Sequence, residues 1–225
     1  MTLTLHYHPL ASFCHKALIA LDELGLGFEP VVVDLFDPDS RAAFARVWPL
    51  LKFPVLEDGA RGATVGESTA IIEYLDAFQV RGHGGGMIPA DPDLAWRARM
   101  WDRIIDQYVH VPMQKIVTDA IRPDGGRDPH GVAEARAGLA EAYRFLEAEL
   151  PASPWALGAD FGLADCAAAP ALFYADVVQP LGPGEPRLKA YLDRLVRRPS
   201  YNRVLVAAAP FFPMFPLDPK PRLPA

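Results

Sequence analysis

The sequence predicts an α/β unit followed by an all-helical unit. Residues 1–80 alternate short strand patterns with amphipathic helical patterns, which favours a small sheet with helices on its faces. The segment Arg81-Gly82-His83-Gly84-Gly85-Gly86 has the composition of a flexible linker. Every strong pattern beyond Asp91-Pro92 is helical. We therefore expect two domains, at residues 1–80 and 90–225.

The first domain has the predicted element order βαβαββα. Leu3–Tyr7 alternates apolar and polar residues like a strand, and the helical stripe after Pro9 ends at Gly25. Residues 28–33 are β-branched and apolar, and Asp37-Pro38 is a helix-start signal. The remaining elements are strands at 53–57 and 63–65 around an Asp58-Gly59 turn, and a helix carrying Ile71, Ile72, Leu75 and Phe78.

The second domain is predicted to consist of helices. Residues 101–116 lie along one long helix, which we expect to bend at Pro112 because proline removes a backbone donor. Further helices are predicted at 132–150, 163–173, 187–196 and 200–207.

Composition and charge favour a compact globular protein and exclude some partners. Apolar residues make up 51% and charged residues 22%, which is ordinary globular usage. The formal net charge is −6, and Lys and Arg are scattered, so the chain lacks the basic stripe that binds a phosphate backbone. We therefore expect no nucleic-acid partner.

The sequence also predicts a cytoplasmic protein without a membrane partner or a metal. Apolar runs stay well short of the roughly 20 residues that cross a bilayer, and Met1-Thr2-Leu3-Thr4 lacks the basic start of a secretory signal. Cys14 and Cys166 are too few for a disulfide framework. The histidines near the start lack a further ligand at metal-binding spacing, so no metal site is expected; they are His6, His8 and His15.

Four segments carry a resemblance to a known family. They are HPLASFCHK at 8–16, WPLLKFPVL at 48–56, GESTAIIEYL at 66–75 and FGLAD at 161–165. Together with the βαβαββα unit and the helical domain, they resemble the cytosolic glutathione transferases across nearly the whole chain. Four residues depart from the family pattern, namely Ala11, Trp48, Leu51 and Gly162. The resemblance implies a thioredoxin-like domain at 1–80, an all-helical domain at 90–225 and a homodimer.

The resemblance implies a glutathione site built from two of these segments. A helix N-terminus presents N–H groups and partial positive charge, so the Ser68 end suits the γ-glutamyl carboxylate, and Glu67 can pair the ammonium. The family position implies a cis Pro54, whose neighbour Phe53 would bind the cysteinyl backbone as an added strand, and Lys52 would neutralise the glycyl carboxylate. The alternatives are ordinary roles: Ser68 as a helix cap, Glu67 as a first-turn acid, Pro54 as an edge residue and Lys52 as a surface lysine.

Three residues are candidates for stabilising the glutathione thiolate. Lowering a thiol pKa from about 8.5 by ~2 units takes roughly 2.7 kcal/mol, which a hydroxyl donor and helix N–H groups can supply. Tyr7 stands at the position of the tyrosine-type enzymes, whereas the usual serine position falls on Ala11. We favour Ser12, whose alternative role is a plain N-cap. Cys14 lies on the apolar stripe and is expected to be a structural thiol.

The function that the resemblance implies is glutathione transfer to a small hydrophobic electrophile. Glutathione is then a co-substrate, and no permanently bound cofactor is expected. The electrophile pocket is expected between the domains, lined by Tyr108, Met113 and Phe215, although aromatic and methionine side chains at helical spacing are often core residues. Two alternatives stay open: a non-catalytic glutathione-binding or protein-interaction module of the same fold, and a glutathione-dependent isomerase or peroxidase.

Overall fold

The structure, a computed structural model, describes residues 3–79, 86–123 and 125–223. The chain divides into two compact units, Met1–Ile88 and Pro89–Ala225. Within the predicted glycine-rich linker, residues 81–85 lie outside the described part of the chain.

The first unit contains a four-stranded sheet with three helices. The strands are β1 (Leu3–Tyr7), β2 (Glu29–Val32), β3 (Val55–Asp58) and β4 (Ala63–Gly66), and the helices are α1 (Ser12–Glu23), α2 (Pro38–Val47) and α3 (Ser68–Phe78). The strand order is β2-β1-β3-β4, with β1 parallel to β2 and antiparallel to β3. The predicted α/β thioredoxin-like order βαβαββα is confirmed.

The start of β3 differs from its prediction. The strand was expected from residue 53, but it begins at Val55. Pro54 has no N–H to donate to a ladder, so pairing starts at the following residue. The predicted second strand at 28–33 is likewise shorter, at Glu29–Val32.

Two apolar clusters fix the layers of this unit. Leu5 of β1 packs with Leu21 of α1 and Ile71 of α3 on one face. Phe44 of α2 packs with Val33 and Val55 in the other cluster. Because successive residues of a strand point to opposite faces, β3 serves both clusters with neighbouring residues, Val55 and Leu56. The helices α1 and α3 therefore share one face of the sheet.

The register of the strands brings three connecting segments to one end of the sheet. Val55 pairs with His6 of β1 on one side and with Gly66 of β4 on the other. The end of β1, the start of β3 and the end of β4 consequently lie side by side. The segments that follow β1, precede β3 and follow β4 all leave the sheet at this end.

The second unit is helical in its described part. Its elements are α4 (Pro92–Ile105), a π-helical turn (Asp106–His110), α5 (Val111–Ala120), α6 (Pro129–Glu149), α7 (Leu163–Val178), α8 (Pro186–Arg197), α9 (Pro199–Ala208) and a 3₁₀ helix (Ala209–Met214). The prediction of an all-α domain is confirmed. Among the described residues, no helix is both long enough and apolar enough to cross a bilayer.

The long helix changes geometry one turn before Pro112. The N–H of Val111 donates to the carbonyl of Asp106, an i→i+5 bond, so the turn Asp106–His110 is π-helical. Pro112 then occupies the second position of α5. Since Pro112 cannot donate to the carbonyl of Tyr108, a widened turn accommodates it within a continuous run of helix.

The start of α7 compensates for a missing cap. Gly162 is the N-cap residue and has no side chain to cap the helix, and its N–H donates instead to Oδ2 of Asp165 at 3.0 Å. Oδ1 of Asp165 accepts from the Ala156 N–H at 2.9 Å and from the Tyr191 hydroxyl at 2.5 Å. Burial raises the pKa of the Asp165 carboxyl, and these hydrogen bonds oppose the shift.

Candidate functional site

The helix α1 begins with two backbone N–H groups that precede its hydrogen-bonded ladder. The N-cap is Ala11, whose carbonyl accepts from Cys14 at 2.8 Å and from His15 at 3.2 Å. Ser12 is the first helical residue and is 4% exposed. The interpretation of Ser12 as a plain N-cap is therefore wrong, since the N-cap position belongs to Ala11. The N–H groups of Ser12 and Phe13 lie at the positive end of the helix dipole.

Two histidines hold the turn between β1 and α1. His15 is buried, and its Nε2–H donates to the Pro9 carbonyl at 2.6 Å. The N–H of Leu10 donates to Nδ1 of His8 at 3.2 Å, and the N–H of Ala11 donates to the His8 carbonyl at 3.0 Å. Burial lowers the pKa of His8, with Asp34 opposing the shift, so the imidazole is neutral at pH 7. These contacts fix the loop that presents Ser12.

Cys14 and Tyr7 have different surroundings from Ser12. Cys14 is fully buried, and burial raises the pKa of its thiol strongly, which the His8 backbone only partly opposes. Cys14 is therefore a protonated core thiol at neutral pH. Tyr7 packs against the core cluster, and burial raises the pKa of its phenol, with Cys14 adding to the shift. The phenol keeps its proton and can act as a donor.

Phe53 and Pro54 lie beside this loop. The Phe53–Pro54 peptide bond is cis, which confirms what the resemblance implied. Phe53 precedes Val55, the first paired residue of β3, so its backbone lies outside the ladder. The rings of Phe53 and His8 stack with their centroids 6.1 Å apart. Lys52, the residue before Phe53, is exposed.

Trp48 connects the segment before β3 to the start of α3. A Cβ added to Gly66 would lie 2.4 Å from Cζ2 of Trp48, so the indole rests directly on the Gly66 backbone. Gly66 ends β4 and precedes Glu67. Trp48 departs from the family pattern, and its contact with Gly66 was not predicted from the sequence because it joins residues far apart in the chain.

The helix α3 also begins with backbone N–H groups that precede its hydrogen-bonded ladder. Its N-cap is Glu67, with φ 66° and ψ 122°, and among the described residues the Glu67 side chain makes no capping hydrogen bond. Ser68 is the first helical residue and is 5% exposed, so the alternative role of Ser68 as a cap is wrong. The ladder starts with the Ile71 N–H, which donates to the Glu67 carbonyl at 2.9 Å. The three N–H groups before Ile71 lie at the positive end of the helix dipole.

The backbone of Glu67 is strained where it enters this helix. A positive φ at a residue with a side chain costs about 1–3 kcal/mol, and such residues cluster at functional sites. Leu51, which precedes Lys52, also has a positive φ, 52°. Both strained residues adjoin candidate ligand contacts.

A buried lysine joins the two helices of the site. Lys16 of α1 is fully buried, and its Nζ donates to Oγ1 of Thr69 in α3 at 2.8 Å. The pairing of Lys16 with Thr69 was not predicted from the sequence. The position of Lys16 could have indicated that this lysine is buried. Lys16 lies four residues after Ser12 and therefore on the same buried side of α1.

The three candidate pocket residues in the second unit differ in exposure. Met113 is 2% exposed and Phe215 is 4% exposed, and the Phe215 ring stacks on Tyr174 at 5.9 Å. Tyr108, in the π-helical turn, is 61% exposed. Tyr108 is thus the exposed member of this set, whereas Met113 and Phe215 are core residues.

The described residues of the second unit line at least two cavities. One, of about 240 Å³, lies beside Trp155, Arg187 and Arg194. The other, of about 370 Å³, lies beside Trp96 and Met100. The residues lining these two cavities include none of the predicted site residues.

Comparison with known proteins identifies the class of this fold and site. The family profile of the glutathione S-transferase N-terminal domain matches residues 5–80, and that of the C-terminal domain matches residues 129–194. Glutathione S-transferase 3 of Zea mays is 31% identical over an alignment of 221 residues, and the alignment covers 94% of this chain and 96% of the maize protein.

Solved structures give the same result. A glutathione S-transferase of Methylobacillus flagellatus with bound glutathione has a TM-score of 0.80 and 25% identity, covering 90% of this chain and 98% of its own. One of Methylobacterium radiotolerans, in complex with glutathione sulfonate, has a TM-score of 0.76 and 28% identity, covering 91% and 94%. The chain belongs to the glutathione S-transferase family.

Proposed function

We propose that this protein is a glutathione transferase that binds glutathione, stabilises its thiolate and directs the sulfur onto a hydrophobic electrophile. The observation that carries the proposal is the meeting, at one end of the sheet, of the β1–α1 loop, the cis Phe53–Pro54 segment and the start of α3. Both helices begin there with N–H groups that precede their ladders. Such groups favour anions, and glutathione brings a thiolate and two carboxylates.

Each end of glutathione has a complement in this arrangement. The γ-glutamyl carboxylate binds the start of α3 and the Ser68 hydroxyl, and Glu67 pairs with the ammonium. The cysteinyl backbone pairs with Phe53 as an added strand, because Phe53 lies just outside the ladder. Lys52 neutralises the glycyl carboxylate from an exposed position. Solved relatives bound to glutathione and to glutathione sulfonate support this choice of ligand.

Ser12 is the proposed thiolate stabiliser. Its hydroxyl stands at the first position of α1, so one hydrogen bond to sulfur adds to the helix N–H groups. A hydrogen bond to a charged group contributes about 1.5–3 kcal/mol, which is close to the roughly 2.7 kcal/mol that a shift of two pKa units takes. The thiol proton passes to solvent, the sulfur forms a bond to the electrophilic carbon, and the leaving group departs with its electron pair.

The second candidate function is a glutathione-binding module without catalysis. Ala11 supports this alternative. It is the N-cap residue of α1 and has a methyl group where relatives of the serine type have a hydroxyl. An isomerase or peroxidase would use the same thiolate with a different partner molecule.

One titration separates a protein that stabilises the glutathione thiolate from a module that only binds glutathione. Reduced glutathione is added to the protein while the ultraviolet thiolate band is followed, for the wild type and for Ser12→Ala, Tyr7→Phe and Cys14→Ala. We expect binding with a thiolate signal that Ser12→Ala removes and that Cys14→Ala, the control for a core thiol, retains. Binding without a signal in the wild type would favour the module, and loss only in Tyr7→Phe would move the role from Ser12 to Tyr7. Absence of binding would overturn the proposal.

We further propose that the protein is a cytoplasmic homodimer that takes its electrophile beside Tyr108. Dimerisation is an expectation from the family, and equilibrium sedimentation that shows only a monomer would remove it.

For the electrophile, Tyr108→Ala is expected to raise KM for an aromatic electrophile while leaving glutathione binding unchanged.

A further inference from the structure

Lys16 is a lysine with no exposed surface, in the helix that carries the thiolate candidate. Burying a lysine side chain is costly unless its ammonium is hydrogen-bonded, and lysines are among the residues least often buried completely. The ammonium of Lys16 donates to the Thr69 hydroxyl oxygen at 2.8 Å. The position of this charge is therefore defined by the start of α3.

The Lys16–Thr69 hydrogen bond connects the two ends of the proposed glutathione site. Lys16 lies one helical turn beyond Ser12, and both are buried. Thr69 directly follows Ser68 and belongs to the first turn of α3. A change in this bond would therefore alter how the first turn of α3 is held relative to α1.

The bond also places a positive charge next to a site for a negative one. The first turn of α3 carries the partial positive charge of a helix N-terminus, and Lys16 adds a full charge within hydrogen-bond distance of that turn. In a buried setting this charge is screened little by salt. The Thr69 hydroxyl oxygen accepts this hydrogen bond through one of its lone pairs.

We propose that Lys16 is a positioning residue for glutathione, which acts through Thr69 to hold the first turn of α3 and to strengthen its affinity for the γ-glutamyl carboxylate. This inference rests on the proposed function. Lys16 does not touch the reacting sulfur in this mechanism. Its loss affects the binding of glutathione rather than the ionisation of the bound thiol.

The test compares glutathione with an analogue that lacks only the γ-glutamyl carboxylate, γ-aminobutyryl-cysteinyl-glycine. Calorimetric titration is carried out on the wild type, Lys16→Met, Thr69→Val and Thr69→Ser. We expect Lys16→Met and Thr69→Val to weaken glutathione binding by about five- to twentyfold, and Thr69→Ser to bind like the wild type. Affinity for the analogue should stay unchanged in every variant, because the analogue lacks the carboxylate that is proposed to bind the first turn of α3.

Control variants keep the test decisive. Thr69→Val has nearly the size of threonine and replaces Lys16→Met if that protein does not fold. Thr64→Val, at an exposed position of β4, is the matched control and should bind glutathione normally. Equal weakening of glutathione and analogue would mean a merely structural role, and unchanged glutathione affinity in Thr69→Val would also overturn the inference. A wild type that does not bind glutathione at all would instead overturn the proposed function, and the inference with it.

Discussion

The indole of Trp48 rests on the backbone of Gly66, with room for no more than a hydrogen between them. An added Cβ at residue 66 would stand 2.4 Å from Cζ2 of Trp48 and 2.9 Å from two further ring atoms. Trp48 follows α2 and Gly66 ends β4, immediately before the strained N-cap residue Glu67. The contact therefore ties the segment leading to Pro54 to the start of α3.

Gly66→Ala should destabilise the protein by about 1–3 kcal/mol and weaken glutathione binding, because the rigid indole or the backbone leading into Glu67 must move. Urea unfolding and calorimetric titration give the two quantities. Gly138→Ala is the matched control: residue 138 is in the interior of α6 with open space around it, so alanine there should stabilise by roughly 0.5–1 kcal/mol. Trp48→Asn combined with Gly66→Ala should recover affinity for glutathione. If affinity does not recover, the contact between Trp48 and Gly66 does not control glutathione binding.

Lys52→Met should weaken glutathione binding by about two- to fivefold at low salt, since an exposed charge pair contributes little. The difference from the wild type should disappear as salt is raised, because exposed charges are screened. Affinity is measured across a salt series. Lys189→Met, the same change on α8 of the second unit, should have no effect on binding. A salt-independent loss in Lys52→Met would contradict the assignment of Lys52 to the glycyl carboxylate.

Asp58→Asn should lower the free energy of unfolding by about 1–3 kcal/mol, the cost of buried polar groups that lose their partner. Asp58 is 2% exposed, and its carboxylate accepts from the Tyr74 hydroxyl at 2.8 Å, from Gln79 Nε2 at 2.8 Å and from the Ala60 N–H at 3.0 Å. It pairs with Leu3, at the end of the sheet opposite the site. Glutathione affinity should therefore be unchanged, whereas Tyr74→Phe should cause a smaller loss of stability.

Asp165→Asn should change the pH dependence of stability. The folded-state pKa of Asp165 is raised above its ordinary value of 3.8, so the folded protein binds more protons than the unfolded chain above pH 3.8. Stability from this carboxyl is then lost as pH rises through the raised pKa. The stability gap between the wild type and Asp165→Asn should accordingly narrow from pH 3.8 upward. Urea unfolding at several pH values measures it, and a gap that widens with pH would mean a lowered pKa.

The local hydrophobic pattern of the sequence predicted the helices and strands of this fold. The geometry of the candidate site depends instead on backbone dihedral angles, which the pattern does not report. The alternation in Leu3–Tyr7 and the helical stripe of α1 report burial, which depends on near neighbours in sequence. Cap positions depend on φ and ψ, so the sequence could not show that Ala11 and Glu67, rather than the adjacent serines, are the N-caps. Ser12 and Ser68 became first helical residues only once those dihedral angles were known.

Contacts between distant segments were beyond the same reasoning. The pairing of Trp48 with Gly66 and of Lys16 with Thr69 depends on sheet register and helix packing. Neither pair has a sequence spacing that would indicate it. The resemblance pointed to segments that the structure brings to one end of the sheet, while the contacts that link them depend on the three-dimensional structure.

Val55 pairs with β1 on one side and with β4 on the other. The end of the sheet that carries the candidate glutathione site therefore depends on the packing of β3 in the hydrophobic core. A slip of β3 by one residue would turn Leu56, now fully buried, to the other face and carry Glu57 into its place. The same slip would shift Pro54 and Phe53 against both the β1–α1 loop and the start of α3. Alignment of these three segments is thus protected by the cost of displacing a core leucine and burying a carboxylate, at positions outside the candidate glutathione site.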